Sequence, residues 1–333
     1  MRHIAITYRF DHIAILLCLA AVATPASAEW YGQAIDLMGT RVSVELWHED
    51  EAEGSALVAQ VLDEYRRIDA AMSTYREDSE ISRINRDAAT MPVPISDEIE
   101  FLLEASLDLS RASNGAFDIS YESVGYLYDF RARRRPDRAA IEAAIGAVNY
   151  QRILLDTAAG TVRFGVPGMR INLGGIAKGY AVERGAQMLR AAGVQHALLN
   201  AGGDTRVIGD RRGQPWIIGI RHPRLEDEIA TRLPIVDEAI STSGDYERFF
   251  EEDGRRYHHI LNPATGEPTE TLLSATVIGP DATFTDGLAT TIFVLGADAG
   301  LELIDRYEGF EAIVVEPSGR LRYSSGLAPP DAE

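Results

Sequence analysis

Three short stretches hold the side chains best suited to chemistry. In "INLGGIAKGYAVERG" (residues 171–185) tandem glycines, Gly174 and Gly175, stand between a predicted strand and a predicted helix. Such a turn lets a ligand approach the backbone, and the first free N–H groups of the helix then face it, an arrangement suited to a phosphate. The stretch fits neither GxxxxGK[ST] nor GxGxxG, so a purely structural turn remains the other reading. In "TDGLATTIFVLG" (285–296) Asp286 and Thr290 are four apart on a predicted helix whose other side carries Leu288, Ile292 and Leu295. A carboxylate and a hydroxyl on one face form a pair of hard oxygen ligands for Mg²⁺, which takes few protein ligands and fills its sphere with water and phosphate. The alternative is a carboxylate placed at a helix N-terminus to favour the dipole.

The third stretch, "YHHILNPATGEP" (257–268), uses two of the chain's seven histidines side by side. Ile260 and Leu261 indicate a strand running into the Asn262-Pro263 and Thr265-Gly266 turns. In a strand, neighbouring imidazoles point to opposite faces, and the expectation is that His258 faces outward and His259 inward. A histidine beside a metal-bound phosphate is a candidate general base, because its ordinary pKa of about 6.5 lets it take a proton at neutral pH. His48, His196 and His222 are isolated and read as surface or packed residues.

The elements that must position these groups are legible from periodicity. Val42, Val44 and Leu46 alternate with polar residues, which predicts a half-buried strand after a Met38-Gly39 turn. Leu57, Val61, Tyr65, Ile68 and Met72 recur at helical spacing. Ser79 caps a short helix, and Ser96 caps the next, which Asn114-Gly115 ends. A helix follows Pro136-Asp137, and a hairpin folds about Ala159-Gly160. Beyond residue 170 come a strand, the Gly-Gly turn, a helix over 176–192, strands at "HALLNAGG", "WIIGI", "DEAISTSG" and "SATVIG", helices from Asp286 to Leu295 and from Gly300 to Tyr307, and strand "EAIVVE". Without regular alternation of strand and helix, the fold class is α+β, with mixed sheets and packed helices. "RARRR" (131–135) reads as solvated surface, and the segment 324–333 as a disordered tail.

At the N-terminus, "HIAILLCLAAVATPASA" is an apolar run that ends in Ala-x-Ala at Ala28, with Arg2 and Arg9 before it. It predicts a secretory signal peptide over 1–28, too short for a comfortable membrane span and followed by one domain over 29–323. The only cysteine, Cys18, lies within it, and Leu17 stands where a lipid anchor would require a small residue, so processing leaves no thiol for a disulfide or metal site. With Arg2, Arg9 and Asp11 set aside from the 32 basic and 51 acidic residues, 30 and 50 remain, a balance of −20. That charge disfavours nucleic acid and anionic membranes, and an anionic ligand then requires local help from a cation, a helix N-terminus or a metal.

Eight blocks in sequence order carry a family resemblance: "MGT", "MSTYREDSEISRIN", "SNGAFDIS", "NLGGIAKGYAVERG", "NAGGD", "ISTSGDYERFF", "HHILNPATG" and "TDGLATTIFVLG". From about Met38 to Leu295 the chain resembles the ApbE-type FAD:protein FMN transferases, a family of periplasmic flavin transferases. The resemblance implies FAD as donor, Mg²⁺ as cofactor, and FMN transfer to a threonine or serine hydroxyl of an acceptor flavoprotein, such as a periplasm-facing redox subunit. It implies that Met38, Tyr75, Ala116, Phe117, Asp118, Asn172, Lys178 and Ile260 line the FAD pocket. Asp286, Thr290 and the Ala177 carbonyl would be the metal ligands, and His259 the base. Two departures stand out: Asn172 replaces the family's usual Asp, and "YESVGYLYDF" replaces its Val-Gly-Pro-Leu run. Hydrolysis of FAD to FMN and AMP would use the same site, and a non-catalytic periplasmic flavin-binding protein is the remaining alternative.

Overall fold

The computed structural model describes residues 29–225 and 228–327; the predicted leader, with Cys18, lies outside the described residues. An eight-stranded antiparallel sheet organises the chain, and its strands lie side by side in chain order: Glu29–Leu37, Thr40–His48, Ala197–Ala201, Asp204–Ile208, Ala239–Gly244, Ser274–Gly279, Glu311–Val315 and Leu321–Tyr323. Alternation explains the second strand, where Val42, Val44 and Leu46 are buried on one face. The turn between the first two strands is the two-residue Met38-Gly39 with both residues at positive φ, the geometry that matches the twist of a tight hairpin.

One face of the sheet is covered by the helices Glu51–Met72, Ala177–Ala191 and Ala282–Leu295. The apolar stripe of the first helix, Val58, Val61, Leu62, Tyr65, Ile68 and Met72, is buried here, and each fully buried side chain of this kind contributes roughly 1.5–3 kcal/mol. On the other face the hairpin Trp216–Arg221/Ile229–Ile235 buries Trp216, Ile220 and Ile235 against Val207, Ile240, Ile278 and Ile313. A smaller sheet (Val93–Pro94, Thr161–Phe164, Ile153–Asp156) and the helices Glu80–Asp87 and Asp97–Ala112 extend the main core. Asp50, Ser79 and Ser96 cap their helices by accepting the N–H groups of Glu53, Ser82 and Ile99. Among the described residues no helix is long and apolar enough to cross a membrane.

Three expectations change, and one strand is added. The segment before the Gly-Gly turn is extended but is not a strand: the Asn85 side chain both accepts from the Ile171 N–H (2.7 Å) and donates to the Ile171 carbonyl (2.9 Å), doing the work of a neighbouring strand. The helix expected from Asp286 begins at Ala282, because Asp281 caps it through the N–H groups of Thr283 and Phe284. Asp286 therefore sits in the second turn, and the dipole reading of it lapses. The tail does not begin at Ser324, whose buried hydroxyl is hydrogen-bonded to Glu311 and whose N–H reaches the Ala312 carbonyl; residues 328–333 lie outside the described residues. Finally, Glu29–Leu37 forms an edge strand that its weak alternation did not reveal.

The helices Ala177–Ala191 and Ala282–Leu295 touch at a glycine. A Cβ on Gly179 would lie 2.1 Å from the Ala282 carbonyl oxygen and 2.6 Å from the Asp286 Cβ. Both obstacles belong to a packed helix, so the helices would have to separate. Gly179→Ala is expected to destabilise the protein by about 1–3 kcal/mol in chemical denaturation. Gly146→Ala, whose Cβ would meet nothing within 4 Å, should stay near the native value, and equal effects would contradict the close contact.

Candidate active site

The site forms at the end of the sheet where the Met38-Gly39 and Gly202-Gly203 turns, the exit of strand Ala239–Gly244 and the start of helix Ala177–Ala191 meet. Three charged groups define its floor. The Lys178 ammonium is ion-paired with Asp204 and stands 3.6 Å from Asp286 Oδ1, and both carboxylates are buried. Asp286 Oδ2 accepts the Gly179 N–H at 2.9 Å, which is possible only because Gly179 admits the second helix so closely. Burial lowers the Lys178 pKa, but Asp204 and Asp286 outweigh it and hold the ammonium above its ordinary value. Asp286 is raised by burial and by the charge of Asp204: two carboxylates compete for one ammonium.

The walls are set by hydroxyl and backbone contacts. Thr290 Oγ1 lies 3.1 Å from Ser243 Oγ, and Ser241 and Thr285 pair at 2.8 Å, which ties the Asp286 helix to its strand. A Cβ on Gly175 would lie 3.3 Å from both Thr290 Oγ1 and the Phe117 ring, so the Gly-Gly backbone rests against the threonine. Ala177 opens the next helix, whose N-cap residue Ile176 makes no side-chain cap. The oxygens of Asp286 and Thr290 suit a hard cation, and the excess negative charge of the Asp204/Asp286/Lys178 group favours one, so these residues fit Mg²⁺.

One of the two histidines faces differently from expectation. His258, at the end of strand Arg255–His258, is buried rather than outward: Nε2 donates to the Thr269 carbonyl at 2.7 Å, Nδ1 accepts the Ile260 N–H at 3.3 Å, and the ring meets Phe293 edge-on. Both of its nitrogens are committed to structure. His259 follows the strand's last residue, donates its backbone N–H to the Arg248 carbonyl at 3.1 Å, and keeps Nδ1 without a partner. Burial, then the positive charges of Arg248, His258 and Lys178, lower its pKa to about 3, so the ring is neutral throughout the physiological range.

The remaining expected residues are partly reunited. Met38 is at positive φ, a position that is uncommon for a non-glycine residue and that functional sites tend to retain. Tyr75 is 79% exposed, and the Arg131 guanidinium lies over one face of its ring, 6.0 Å from the centroid. Phe117 is buried against Gly175, and Ile260 is buried in the main core. Ala116 sits in the preceding turn, its N–H bonded to the Ser113 carbonyl. The Asp118 carboxylate is not brought into the site: it accepts from Ser120 N, Ser120 Oγ and Tyr150 N, bracing the loop instead. Asn172 turns Oδ1 to the Gly174 N–H (2.7 Å) and donates Nδ2 to Glu122 (3.0 Å), so both departures noted in the sequence meet in one pair. Burial pushes Glu122 up to about 7 although Asn172 and Arg170 oppose the shift. Asp204, Glu122 and Ser243 escaped the sequence reading; the signal for Asp204 was an acidic residue directly after a Gly-Gly turn at a strand start.

The ApbE family's sequence profile matches residues 38–314. The chain belongs to the ApbE family. Among curated relatives, the FAD:protein FMN transferase of Treponema pallidum (strain Nichols) is 30% identical over 98% of this chain and 96% of that protein. One from Klebsiella pneumoniae (strain 342) is 32% identical over 89% and 92%. Among solved structures, the ApbE protein of Thermotoga maritima superposes with a TM-score of 0.82 at 31% identity, covering 90% of this chain and 98% of that one. The flavin transferase ApbE of Vibrio cholerae gives 0.80 at 28% identity, with the same coverage. The α+β class read from the sequence is that of these ApbE structures.

Two measurements test the electrostatics of this ApbE-family site. His259 is expected to show no midpoint between pH 8 and pH 5 in an NMR titration of the ligand-free protein, because its lowered pKa puts protonation below that window; a midpoint near 6.5 would contradict the environment described. Asn172→Asp sets a second carboxylate beside Glu122. At high pH the two acids repel as they ionise, whereas at low pH the pair can share one proton, which burial already favours on Glu122. The variant should therefore lose on the order of 2 kcal/mol at pH 8 and less at pH 5.5, with Glu122→Gln restoring much of the loss. A loss independent of pH would show the pair to be solvated.

Proposed function

We propose that this chain transfers FMN from FAD to a serine or threonine hydroxyl of an acceptor protein, with release of AMP. The observation that carries the reading is His259, a neutral ring whose buried Nδ1 has no hydrogen-bond partner among the described residues and which feels the charge of Lys178, itself 3.6 Å from Asp286 Oδ1. Mg²⁺ held by Asp286, Thr290 and the Ala177 carbonyl would supply charge neutralisation for the diphosphate. His259 takes the proton of the acceptor hydroxyl. The hydroxyl oxygen forms its bond to the FMN phosphorus as the anhydride bond to AMP breaks, and the leaving phosphate keeps that electron pair. Lys178 is held by its carboxylates at the floor of the site, and Tyr75 offers an exposed ring on which a flavin or adenine could stack. The acceptor is a flavoprotein subunit with a Ser/Thr-containing motif. A periplasmic location is supported by the apolar leader that ends in Ala-x-Ala at Ala28.

The test is incubation of the processed protein with FAD, Mg²⁺ and a candidate acceptor domain, followed by mass spectrometry. An FMN adduct on the acceptor together with free AMP is expected; FMN and AMP without an adduct would make the protein a hydrolase instead. His259→Ala should lose about 10²–10⁴-fold in transfer while still binding FAD, and Asp286→Ala should lose its Mg²⁺-dependent turnover. His258→Ala should lower thermal stability, because it removes the bond to Thr269 and the Phe293 contact, but leave the turnover of the folded fraction near native. Full activity of His259→Ala would remove it from the chemistry.

A further inference from the structure

The segment that leads into the two histidines is rich in arginine, and its arginines differ in one respect. Arg224 clamps Asp245 at 2.8 and 2.6 Å, Arg221 pairs with Glu247, Arg255 with Glu267 and Glu270, and Arg256 with Glu251. Arg248, in their midst and exposed, makes no side-chain hydrogen bond or ion pair among the described residues. Nor does it trail into solvent. Its guanidinium lies over the Met38-Gly39 turn, where a Cβ on Gly39 would come within 2.8 Å of Nη2. Its carbonyl holds the His259 N–H, and its charge acts on the His259 ring and on the Tyr121 phenol. The Tyr121 hydroxyl is 3.9 Å from where a Gly174 Cβ would be, so Tyr121 links the surroundings of Arg248 to the Gly-Gly turn.

Charge balance indicates what an unpaired guanidinium does there. Lys178 is shared by Asp204 and Asp286, which leaves that group with one net negative charge. One divalent cation turns it to one net positive charge, while a diphosphate diester brings two negative charges, so one remains uncompensated. We propose that Arg248 is a second cationic contact for the diphosphate of the flavin donor, a binding residue at the Met38-Gly39 turn. This rests on the reading of FAD as the donor. A guanidinium is suited to the role, since it stays charged beside His259 and presents a fork of donors to phosphate oxygens.

Quenching of flavin fluorescence, with Mg²⁺ present, measures the binding of FAD and of riboflavin, which has no phosphate, to the native protein, Arg248→Gln and Arg248→Lys at several salt concentrations. In Arg248→Gln, FAD should bind about 10- to 100-fold more weakly, with a shallower dependence on salt, while riboflavin changes by about twofold or less. Arg248→Lys should recover part of the FAD affinity. Unchanged FAD affinity and salt dependence would overturn the assignment, and would do so equally if the acceptor's KM rose instead, since the guanidinium would then be reading the acceptor. Equal weakening of FAD and riboflavin would also overturn it, by showing a general effect on the pocket. Failure of the native protein to bind FAD would remove the donor reading itself and the role of Arg248 with it, a result distinct from native binding that the variants leave untouched.

Discussion

The site depends on one place where two helices meet without a side chain between them. At Gly179 the Ala282 carbonyl and Asp286 Cβ occupy the space a Cβ would need, and the Asp286 carboxylate accepts the Gly179 N–H at 2.9 Å. That contact fixes the height of Asp286 and Thr290 relative to the Gly-Gly turn and aims the preceding residue, Lys178, between Asp204 and Asp286. Packed helices do not deform smoothly, so a methyl group here would displace the whole cluster rather than one ligand. The sheet supports the arrangement from beneath: its strands run in chain order, which brings the 38–39 and 202–203 turns to the same end.

Two carboxylates and one ammonium in a buried space leave negative charge that nothing among the described residues fully offsets, and the raised pKa of Asp286 reflects that excess. The same excess is what a divalent cation relieves. A chain with so acidic a balance can hold an anionic donor only by such local inversion: a cation on the floor, an uncapped helix start and an unpaired guanidinium at the rim. His259 is neutral for a related reason, since burial and the positive groups around it disfavour its protonated form.

Much of this was legible locally. Alternation located strand Thr40–His48, serine caps located the helices after Ser79 and Ser96, and i,i+4 spacing put Asp286 and Thr290 on one face. What depended on distant partners was not legible. The facing of His258 was set by Thr269 and Phe293, not by alternation, because the strand ends at His258 and the next residue belongs to the turn. Asn85 replaced a whole strand at Ile171, and Asp118, expected in the pocket, was drawn off by Ser120 and Tyr150. The exchange of Asp for Asn at 172 made sense only once Glu122 was seen 3.0 Å away, fifty residues earlier in the chain.

On the proposed function, the Lys178/Asp204/Asp286 group forms one site jointly completed by a divalent cation and the donor's diphosphate. Calorimetric titration of FAD into the native protein, with Mg²⁺ and then with EDTA, tests it most directly, because two ligands sharing a site must strengthen each other reciprocally. The account predicts at least about tenfold tighter FAD binding with Mg²⁺, the same factor for Mg²⁺ when FAD is present, and loss of both in Asp286→Asn. Identical FAD affinity with and without Mg²⁺, or a coupling that survives Asp286→Asn, would contradict it.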